Sequence, residues 1–192
     1  MMTLCLRLDQ LSREATMLAR RLLAVAVISA AVGAVTTVPA VASARRHAGR
    51  TPLVGPPACV DVSNNRGNGT QMYLWECQNN NSNQKFVFDN GLIKVEDTIG
   101  KGREMCLDAS NNRANGTRVY QWQCLGNANQ LWVLQRGLII LKSTLNSGNR
   151  ICLDVTNSRA NLAPVYLWQC VPNNNQKFVI DDGQIVVKDT LS

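Results

Sequence analysis

The sequence is almost without histidine, and its cysteines never lie close together. Histidine occurs once among 192 residues, as His47, and no two of the seven cysteines have the spacing of about two to four residues that is usual for a zinc-binding pair. We therefore expect no metal site and no cofactor. Because His47 lies upstream of the repeated region described below, that region also lacks a serine–histidine–aspartate catalytic set.

Charged residues are also scarce, and the excess positive charge lies near the N-terminus. Charged side chains make up 17% of the sequence, and the formal net charge is +7. From Pro57 onward, however, 13 lysines and arginines are nearly balanced by 11 aspartates and glutamates. A nucleic-acid-binding domain needs a basic patch on the domain itself. We therefore predict no nucleic-acid partner.

Only one long apolar run occurs, LLAVAVISAAVGAVTTV, directly after Arg20 and Arg21. Together with the small residues around Ser43, it predicts a secretory signal peptide within a leader of residues 1–44. A membrane anchor is the alternative, but the run is shorter than the roughly 20 apolar residues of a membrane span. We expect translation to start at Met17, and the protein to be secreted without a membrane attachment once the signal is removed.

Residues 45–57, RRHAGRTPLVGPP, have the composition of a linker, and everything after them is repeated. Three repeats cover about 58–103, 104–149 and 150–192. Each contains two cysteines 18 residues apart. Six cysteines allow about 15 pairings, and the repeat symmetry selects one within each repeat. These disulfides, each stabilising by about 3 kcal/mol in the chain-entropy model, are Cys59–Cys77, Cys106–Cys124 and Cys152–Cys170.

No segment has a sustained helical period, and turn signals separate β-rich runs. The pairs Asn90-Gly91, Arg136-Gly137 and Asp182-Gly183 predict hairpins, so the domain is all-β. Three repeats are too few for a propeller. The first repeat lacks the strand that precedes the first cysteine in the other two, and the final run, GQIVVKDTLS, can supply it. We predict a ring of three units closed by its own ends.

Each repeat also places an aspartate two residues after its first cysteine and a tryptophan two residues before its second. If the two segments are antiparallel strands, Asp61 and Trp75 lie opposite each other, about 5 Å apart at Cβ. A carboxylate accepts hydrogen bonds from neighbouring sugar hydroxyls, and an aromatic ring covers the apolar face of a pyranose. We expect each aspartate to lie at the surface and the arrangement to bind sugar.

The motifs Cys-[Val/Leu]-Asp, Trp-x-Cys and Asn-Gln-x-[Trp/Phe], repeated three times over residues 58–192, resemble those of the ricin-type lectin domain. The resemblance implies a β-trefoil with pseudo-threefold symmetry that binds galactose- or xylose-type sugars or polysaccharides. It implies that the aspartate and the asparagine bond hydroxyls, the tryptophan stacks on the ring, and the glutamine orients the aspartate. The corresponding residues are Asp61, Trp75, Asn83 and Gln84; Asp108, Trp122, Asn129 and Gln130; Asp154, Trp168, Asn175 and Gln176. The aromatic residues that the resemblance places in the core are Phe86, Trp132 and Phe178.

Two features depart from the family pattern. Tyr73, Tyr120 and Tyr166 stand where many members carry glutamine, and strand parity puts them on the tryptophan face, where they widen the aromatic surface or pack. Gln121 replaces the leucine found at Leu74 and Leu167, at a position expected to face inward. The sequence offers no explanation for this glutamine.

Two other functions compete with sugar binding. Glycoside hydrolysis needs two carboxylates about 5–10 Å apart, whereas the repeated aspartates belong to separate units of a ring, so we expect no enzyme. A β-trefoil can also serve as a protein-interaction or inhibitor module, but that function would leave the repeated aspartate, tryptophan and Asn-Gln pairs unexplained. We therefore expect a secreted, monomeric carbohydrate-binding module.

The leader makes the first prediction. N-terminal sequencing of the secreted protein should begin at Arg45, because the small-residue cleavage site ends at Ala44. Recovery of the uncleaved chain in the membrane fraction would show that the apolar run is an anchor.

Overall fold

The computed structural model describes residues 55–191, so the predicted leader and nearly all of the predicted linker lie outside the described residues. The described part contains β-strands and single turns of 3-10 helix, and no α-helix. The strands are β1 (Ala58–Asp61), β2 (Thr70–Gln71), β3 (Tyr73–Glu76), β4 (Phe86–Asp89), β5 (Leu92–Val95), β6 (Met105–Asp108), β7 (Thr117–Arg118), β8 (Tyr120–Gln123), β9 (Trp132–Gln135), β10 (Leu138–Leu141), β11 (Ile151–Val155), β12 (Val165–Gln169), β13 (Phe178–Asp181) and β14 (Gln184–Val187). The 3-10 turns are Ser82–Gln84, Glu96–Thr98, Lys142–Thr144, Asn174–Gln176 and Lys188–Thr190.

The strands form three antiparallel sheets, each built from two repeats. In each sheet the first strand of one repeat lies between its own partner strand and the last hairpin of the preceding repeat. The orders are β13-β14-β1-β3, β2-β8-β6-β5-β4 and β7-β12-β11-β10-β9. The first sheet joins the two ends of the domain, with Cys59 opposite Val186 and Ala58 N–H donating to Thr190 Oγ1 at 3.0 Å. The predicted closure by the chain's own ends is confirmed.

Two-residue turns connect the last two strands of each repeat, as the sequence predicted. Asn90, Arg136 and Asp182 have φ values of 50°, 52° and 43°, and the glycine after each is also left-handed. Consecutive left-handed residues match the right-handed twist of a hairpin, and this conformation favours Asn-Gly and Asp-Gly pairs. Each turn packs against the following repeat, where Gly137 O, for example, accepts from Phe178 N–H at 2.8 Å.

One apolar core occupies the centre of the ring. The aromatic residues expected there are buried, with exposures of 3% for Phe86, 4% for Trp132 and 3% for Phe178. The Trp132 indole N–H donates to Leu107 O at 3.1 Å, which satisfies its polar atom inside the core. Each repeat supplies the same kind of residues, so the three repeats are held together by burial of a shared interior.

The three predicted disulfides, Cys59–Cys77, Cys106–Cys124 and Cys152–Cys170, are all present. Each joins the first strand of a repeat to the residue that follows the tryptophan strand, with a Cα–Cα separation of 5.0 Å. The covalent bond thereby holds the two strands that carry the aspartate and the tryptophan.

The long loop of each repeat reaches the tryptophan strand of the next repeat. Asn68 Oδ1 accepts from Gln123 N–H at 2.8 Å, Asn115 Oδ1 from Gln169 N–H at 2.7 Å, and Asn161 Oδ1 from Glu76 N–H at 2.7 Å. The last of these bonds runs from the third repeat back to the first. The surroundings of Trp75, Trp122 and Trp168 are therefore completed by a neighbouring repeat.

Gln121 is completely buried, as its inward position predicted. Its Nε2 donates to Asn65 O in the preceding repeat, but its Oε1 is buried without a hydrogen-bond partner among the described residues. An unpaired buried acceptor costs about 1–3 kcal/mol. The glutamine thus has one bond that joins two repeats and one unsatisfied atom that destabilises the fold.

Replacing Gln121 by leucine, the residue at the equivalent positions, should raise the free energy of unfolding by about 1–2 kcal/mol. The substitution removes the unpaired acceptor, and Asn65 lies at the surface, where we expect its carbonyl to bond water instead. Urea unfolding of the wild type and Gln121→Leu measures the change. Leu167→Gln is the matched control and should be destabilised. A less stable Gln121→Leu would mean that the bond to Asn65 outweighs the unpaired atom.

Candidate functional site

The three aspartates lie at or one residue before the ends of the first strands of the repeats, and they are buried. Their exposures are 2% for Asp61, 7% for Asp108 and 7% for Asp154. The expectation that they lie at the surface is therefore wrong. The physical reason is the following 3-10 turn or loop, which folds a glutamine side chain over one edge of each carboxylate.

The glutamines are Gln84, Gln130 and Gln176, and each joins the aspartate to backbone groups by hydrogen bonds. Its Nε2 donates to Oδ2 of the aspartate at 3.1, 3.0 and 2.7 Å in the three repeats, and also to a backbone carbonyl at the end of the tryptophan strand. Its Oε1 accepts from the N–H groups of Gln78, Leu125 and Val171. Both N–H groups and the carbonyl oxygen of this buried amide are hydrogen-bonded. The amide is therefore fixed, and it orients the carboxylate.

Asp61 and Trp75 are not directly opposite each other, which corrects the predicted pairing. Asp61 is paired with Tyr73, and Trp75 with Cys59. The same register recurs for Asp108 with Tyr120 and for Asp154 with Tyr166. The disulfide-bonded cysteines are themselves offset by two residues, because the second lies just beyond the strand. Aspartate and tryptophan still share one face of the sheet as diagonal neighbours, about 7–8 Å apart.

The tyrosines lie between these two residues and are half-buried. The Tyr73 ring centroid is 6.3 Å from that of Trp75, with the planes inclined by 58°. Burial raises the pKa of Tyr73, and the negative charge of Asp61 raises it further, against a lowering by a hydrogen bond with Ser63. The hydroxyl therefore stays protonated and can donate a hydrogen bond.

In the second and third repeats the tryptophan forms the wall of an open cleft. Trp122 and Trp168 are 40% and 41% exposed. The cleft beside Trp122 has a volume of about 670 Å³ and is lined by Asp108, Tyr120 and Asn129. The cleft beside Trp168 has a volume of about 460 Å³ and is lined by the equivalent Asp154, Tyr166 and Asn175. The predicted residues are thus brought together around a space of ligand size.

The predicted asparagines are held from both sides. Their Oδ1 atoms accept from Nη2 of an arginine in the same repeat, and their Nδ2 atoms donate to Oδ1 of a second asparagine at 2.9, 2.8 and 2.9 Å. The arginines are Arg66, Arg113 and Arg159, and the second asparagines are Asn64, Asn111 and Asn157. Sequence reasoning missed both sets, although each recurs at a constant position after the first cysteine of its repeat.

These features can be compared with known proteins. A family model described as the ricin-type beta-trefoil lectin domain matches residues 53–178. The chain belongs to this family. Membership supports carbohydrate binding as the general function. The three disulfides of the lectin domain are consistent with an extracellular location.

Among solved structures, the lectin domain is similar to the beta-trefoil lectin of the Vibrio vulnificus hemolysin/cytolysin, described with N-acetyl-D-lactosamine bound. The TM-score is 0.52 and the sequence identity is 16%, and the match covers 70% of this chain and 90% of the other. Similarity at this identity shows the fold alone, and it confirms the predicted β-trefoil. A comparison with curated proteins found no match.

Two further observations on the lectin domain concern metal ions and membranes. Within residues 55–191 no group of three or more histidine, cysteine, aspartate or glutamate side chains could hold a metal ion. In the same part of the chain, no helix has the length and apolar character needed to cross a membrane.

The three sites of the lectin domain differ in how the outer oxygen of the aspartate is bonded. This oxygen is Oδ1, the one to which the glutamine does not donate. Asp61 Oδ1 accepts from Ser63 N–H at 2.8 Å, and Asp108 Oδ1 from Ser110 N–H at 2.7 Å. Both serines are left-handed, with φ of 62° and 54°. The β-branched Thr156 does not adopt this conformation, and among the described residues Asp154 has no such backbone donor.

The third site also differs in the surroundings of its carboxyl group. Burial raises the pKa of Asp154, against the lowering by the hydrogen bond from Gln176 and by the charge of Arg159. With fewer donors on its outer oxygen, this carboxylate keeps more free acceptor capacity toward the cleft.

The first site has Leu162 beside it where the other two sites have a glycine. Gly69 N–H and Gly116 N–H donate to Gln121 O and Leu167 O, and a Cβ atom on either glycine would lie 3.7 or 3.8 Å from Cζ3 of Trp122 or Trp168. Leu162 makes the third such bond, to Leu74 O at 2.8 Å. From the pseudo-threefold symmetry we expect its side chain, which leaves the residue 64% exposed, to lie beside Trp75, which is less exposed than Trp122 and Trp168.

Leu162 is also left-handed, with φ of 69°, a conformation that costs a residue with a Cβ atom about 1–2 kcal/mol. Leu162→Gly should therefore raise the free energy of unfolding by roughly 0.5–1 kcal/mol, since the greater freedom of unfolded glycine offsets part of the gain. The same variant should expose Trp75 to acrylamide, measured by fluorescence quenching with Trp122 and Trp168 replaced by phenylalanine.

Leu162→Ala is the matched control for this pair of effects. It should expose Trp75 to a similar extent without a gain in stability, because alanine keeps the Cβ atom that disfavours the left-handed conformation. Unchanged quenching in both variants would show that Leu162 does not cover Trp75.

Proposed function

We propose that this chain is a secreted, monomeric lectin that binds galactose- or xylose-type sugars, or polysaccharides containing them, at up to three equivalent sites. One observation carries the proposal: a buried aspartate, oriented by a glutamine, lies on the same face as a tryptophan in each of three repeats. The N-acetyl-D-lactosamine described with the Vibrio vulnificus lectin supports a saccharide ligand for this fold.

Each site would bind a sugar in two ways. The outer aspartate oxygen accepts hydrogen bonds from ring hydroxyls, and these charge-assisted bonds are strong where the site excludes water. The exposed face of Trp122 or Trp168 covers the apolar C–H face of the pyranose. The clefts of about 670 and 460 Å³ are large enough for one or two sugar rings and are open to solvent, which suits the end or the side of a longer glycan.

Binding without catalysis follows from where the carboxylates lie. Asp61, Asp108 and Asp154 belong to different repeats and are each bonded to their own glutamine. Hydrolysis of a glycosidic bond needs two carboxylates within about 5–10 Å of the same bond, and the repeated aspartates do not form such a pair among themselves because each is held in its own repeat.

The three sites are expected to have unequal affinities. The second and third have exposed tryptophans and defined clefts, whereas Leu162 restricts the first. A single shallow sugar site is weak, because a small polar ligand buries little apolar area and must lose well-hydrated contacts. Several sites on one rigid domain raise the apparent affinity for a polymer by roughly 10²–10⁴ through effective concentration.

Calorimetry against monosaccharide and polymer tests the proposal. Asp108→Asn and Asp154→Asn should each remove one site from the stoichiometry, since the lost charge-assisted bond is worth about 1.5–3 kcal/mol. Asparagine is used instead of alanine because the aspartates are buried and their glutamines need an acceptor. The double variant should lose most of the advantage for polymer, while Asp61→Asn should have the smallest effect.

Asp181→Asn, at a hairpin outside the sites, is the matched control and should bind as the wild type does. Loss of all binding in one single variant would leave only one functional repeat. Unchanged sugar binding in the double variant, with the fold intact by circular dichroism, would show that the sugar is bound elsewhere on the domain. Absence of sugar binding by the wild type would favour a protein-interaction or inhibitor module instead.

A further inference from the structure

The second and third repeats meet at a cationic groove that is separate from the tryptophan clefts. The groove has a volume of about 650 Å³, and its lining includes Arg136, Lys177 and Lys188. Its one acidic lining residue, Asp189, is already engaged by Arg159 through two hydrogen bonds of 3.0 and 2.9 Å. None of the three cations takes part in an ion pair within residues 55–191.

Backbone hydrogen bonds bring these cations together. Lys188 N–H donates to Lys177 O at 2.8 Å, and Phe178 N–H donates to Gly137 O at 2.8 Å. The Lys177 ammonium then donates to Arg136 O at 3.1 Å, so it lies at the same turn that carries the arginine side chain. The backbone therefore brings these three side-chain positions together, and at this junction all three carry a positive charge.

The pseudo-threefold symmetry supplies two equivalent junctions for comparison. At the junction of the third and first repeats, the same backbone bonds are made by Phe86 and Glu96. There Asp182 and Glu96 replace Arg136 and Lys188, and Asp182 forms an ion pair of 2.6 Å with Lys85. At the junction of the first and second repeats, the corresponding side chains are Asn90, Leu131 and Lys142.

Only the junction of the second and third repeats therefore combines three cations on this scaffold. Like charges at one site repel each other, and they attract anions from solution by raising the local concentration of counter-charge. The fold does not require this set, because the other two junctions form the same backbone bonds with other side chains. The unneutralised charge points to an anionic ligand.

The position of the groove indicates which kind of anion. Asn173 and Asn175 line the Trp168 cleft, while Pro172 and Asn174 line the groove. The two sites thus share the segment of residues 172–175 as a common rim. A glycan chain bound at Trp168 can continue over this rim and place a carboxylate or sulfate group among Arg136, Lys177 and Lys188.

We propose that the groove is an anion subsite that extends the third sugar site, so that the lectin prefers polysaccharides bearing carboxylate or sulfate groups over neutral ones. The proposal rests on the proposed function for the identity of the ligand as a glycan. Guanidinium and ammonium groups suit both anions, since arginine makes paired bonds to either and lysine acts as a point charge.

The test replaces two cations of the groove by the residues found at the equivalent positions of the junction between the third and first repeats. The variant Arg136→Asp with Lys188→Glu reproduces the side chains of Asp182 and Glu96, which already fold on this backbone. It should bind polygalacturonate and dextran sulfate about tenfold or more weakly than the wild type, while its affinity for a neutral galactan or xylan is unchanged. The wild-type preference for the anionic polymers should weaken as salt is raised.

The reverse exchange, Asp182→Arg with Glu96→Lys, is the second variant. It should create a second cationic groove at the junction of the third and first repeats and strengthen binding to the anionic polymers. Comparison of polygalacturonate, which carries carboxylates, with dextran sulfate identifies which anion the groove favours, and a groove-dependent preference for either supports the proposal.

Other outcomes overturn it. Equal binding of the anionic polymers by the wild type and Arg136→Asp/Lys188→Glu would show that the groove is not a subsite. Tighter groove-dependent binding to duplex DNA than to either polysaccharide would refute the assignment to glycans. Asp154→Asn separates the two proposals. If this variant does not weaken binding of neutral sugars, the third sugar site is contradicted. The groove is tested separately, by the binding of the anionic polymers to Arg136→Asp/Lys188→Glu.

Discussion

The structure depends on the hydrogen-bonded bridge that one buried glutamine makes in each repeat. In the third repeat, Gln176 joins the Asp154 carboxylate at 2.7 Å, the carbonyl of Gln169 at 3.0 Å and the N–H of Val171 at 2.7 Å. It thereby ties the first strand, the tryptophan strand and the loop after the disulfide into one unit. A buried carboxylate needs such a partner, because burial without hydrogen bonds would cost several kcal/mol. The same bridge leaves the outer carboxylate oxygen on the side of the cleft, so the interaction that stabilises the repeat also prepares the site.

Threefold repetition makes the differences between repeats informative. Leu162 stands where the other repeats have glycine, Ser143 where they have the aspartate that pairs with arginine, and Arg136 where they have asparagine or aspartate. In the second repeat Arg113 therefore lacks the carboxylate partner that Arg66 and Arg159 have, and burial lowers its pKa. Because the backbone is the same in each case, such substitutions change the sites one at a time without altering the fold. The domain thus combines a common scaffold with three chemically distinct surfaces.

Much of this could be predicted from the sequence, because the signals were local and repeated. Cysteine spacing predicted the disulfides, and residue pairs such as Asn90-Gly91 predicted the hairpins. The burial of Asp61 could not be predicted, because it depends on a glutamine more than 20 residues away folding back over the strand. The strand register was wrong for a related reason: the second cysteine lies beyond the strand, so the disulfide does not mark an opposite pair. The role of Leu162 depends on contact with another repeat, which spacing within one repeat does not reveal.

The most direct test of the account is a titration of the four tryptophan indole N–H signals by NMR with a galactose- or xylose-containing oligosaccharide. Trp122 and Trp168 lie exposed in clefts, whereas Trp132 donates its indole N–H to Leu107 O in the core and serves as an internal reference. The account predicts saturable shifts at Trp122 and Trp168, a smaller shift at Trp75 beside Leu162, and none at Trp132. Absence of shifts at Trp122 and Trp168 with every such sugar, or equal shifts at Trp132, would contradict it.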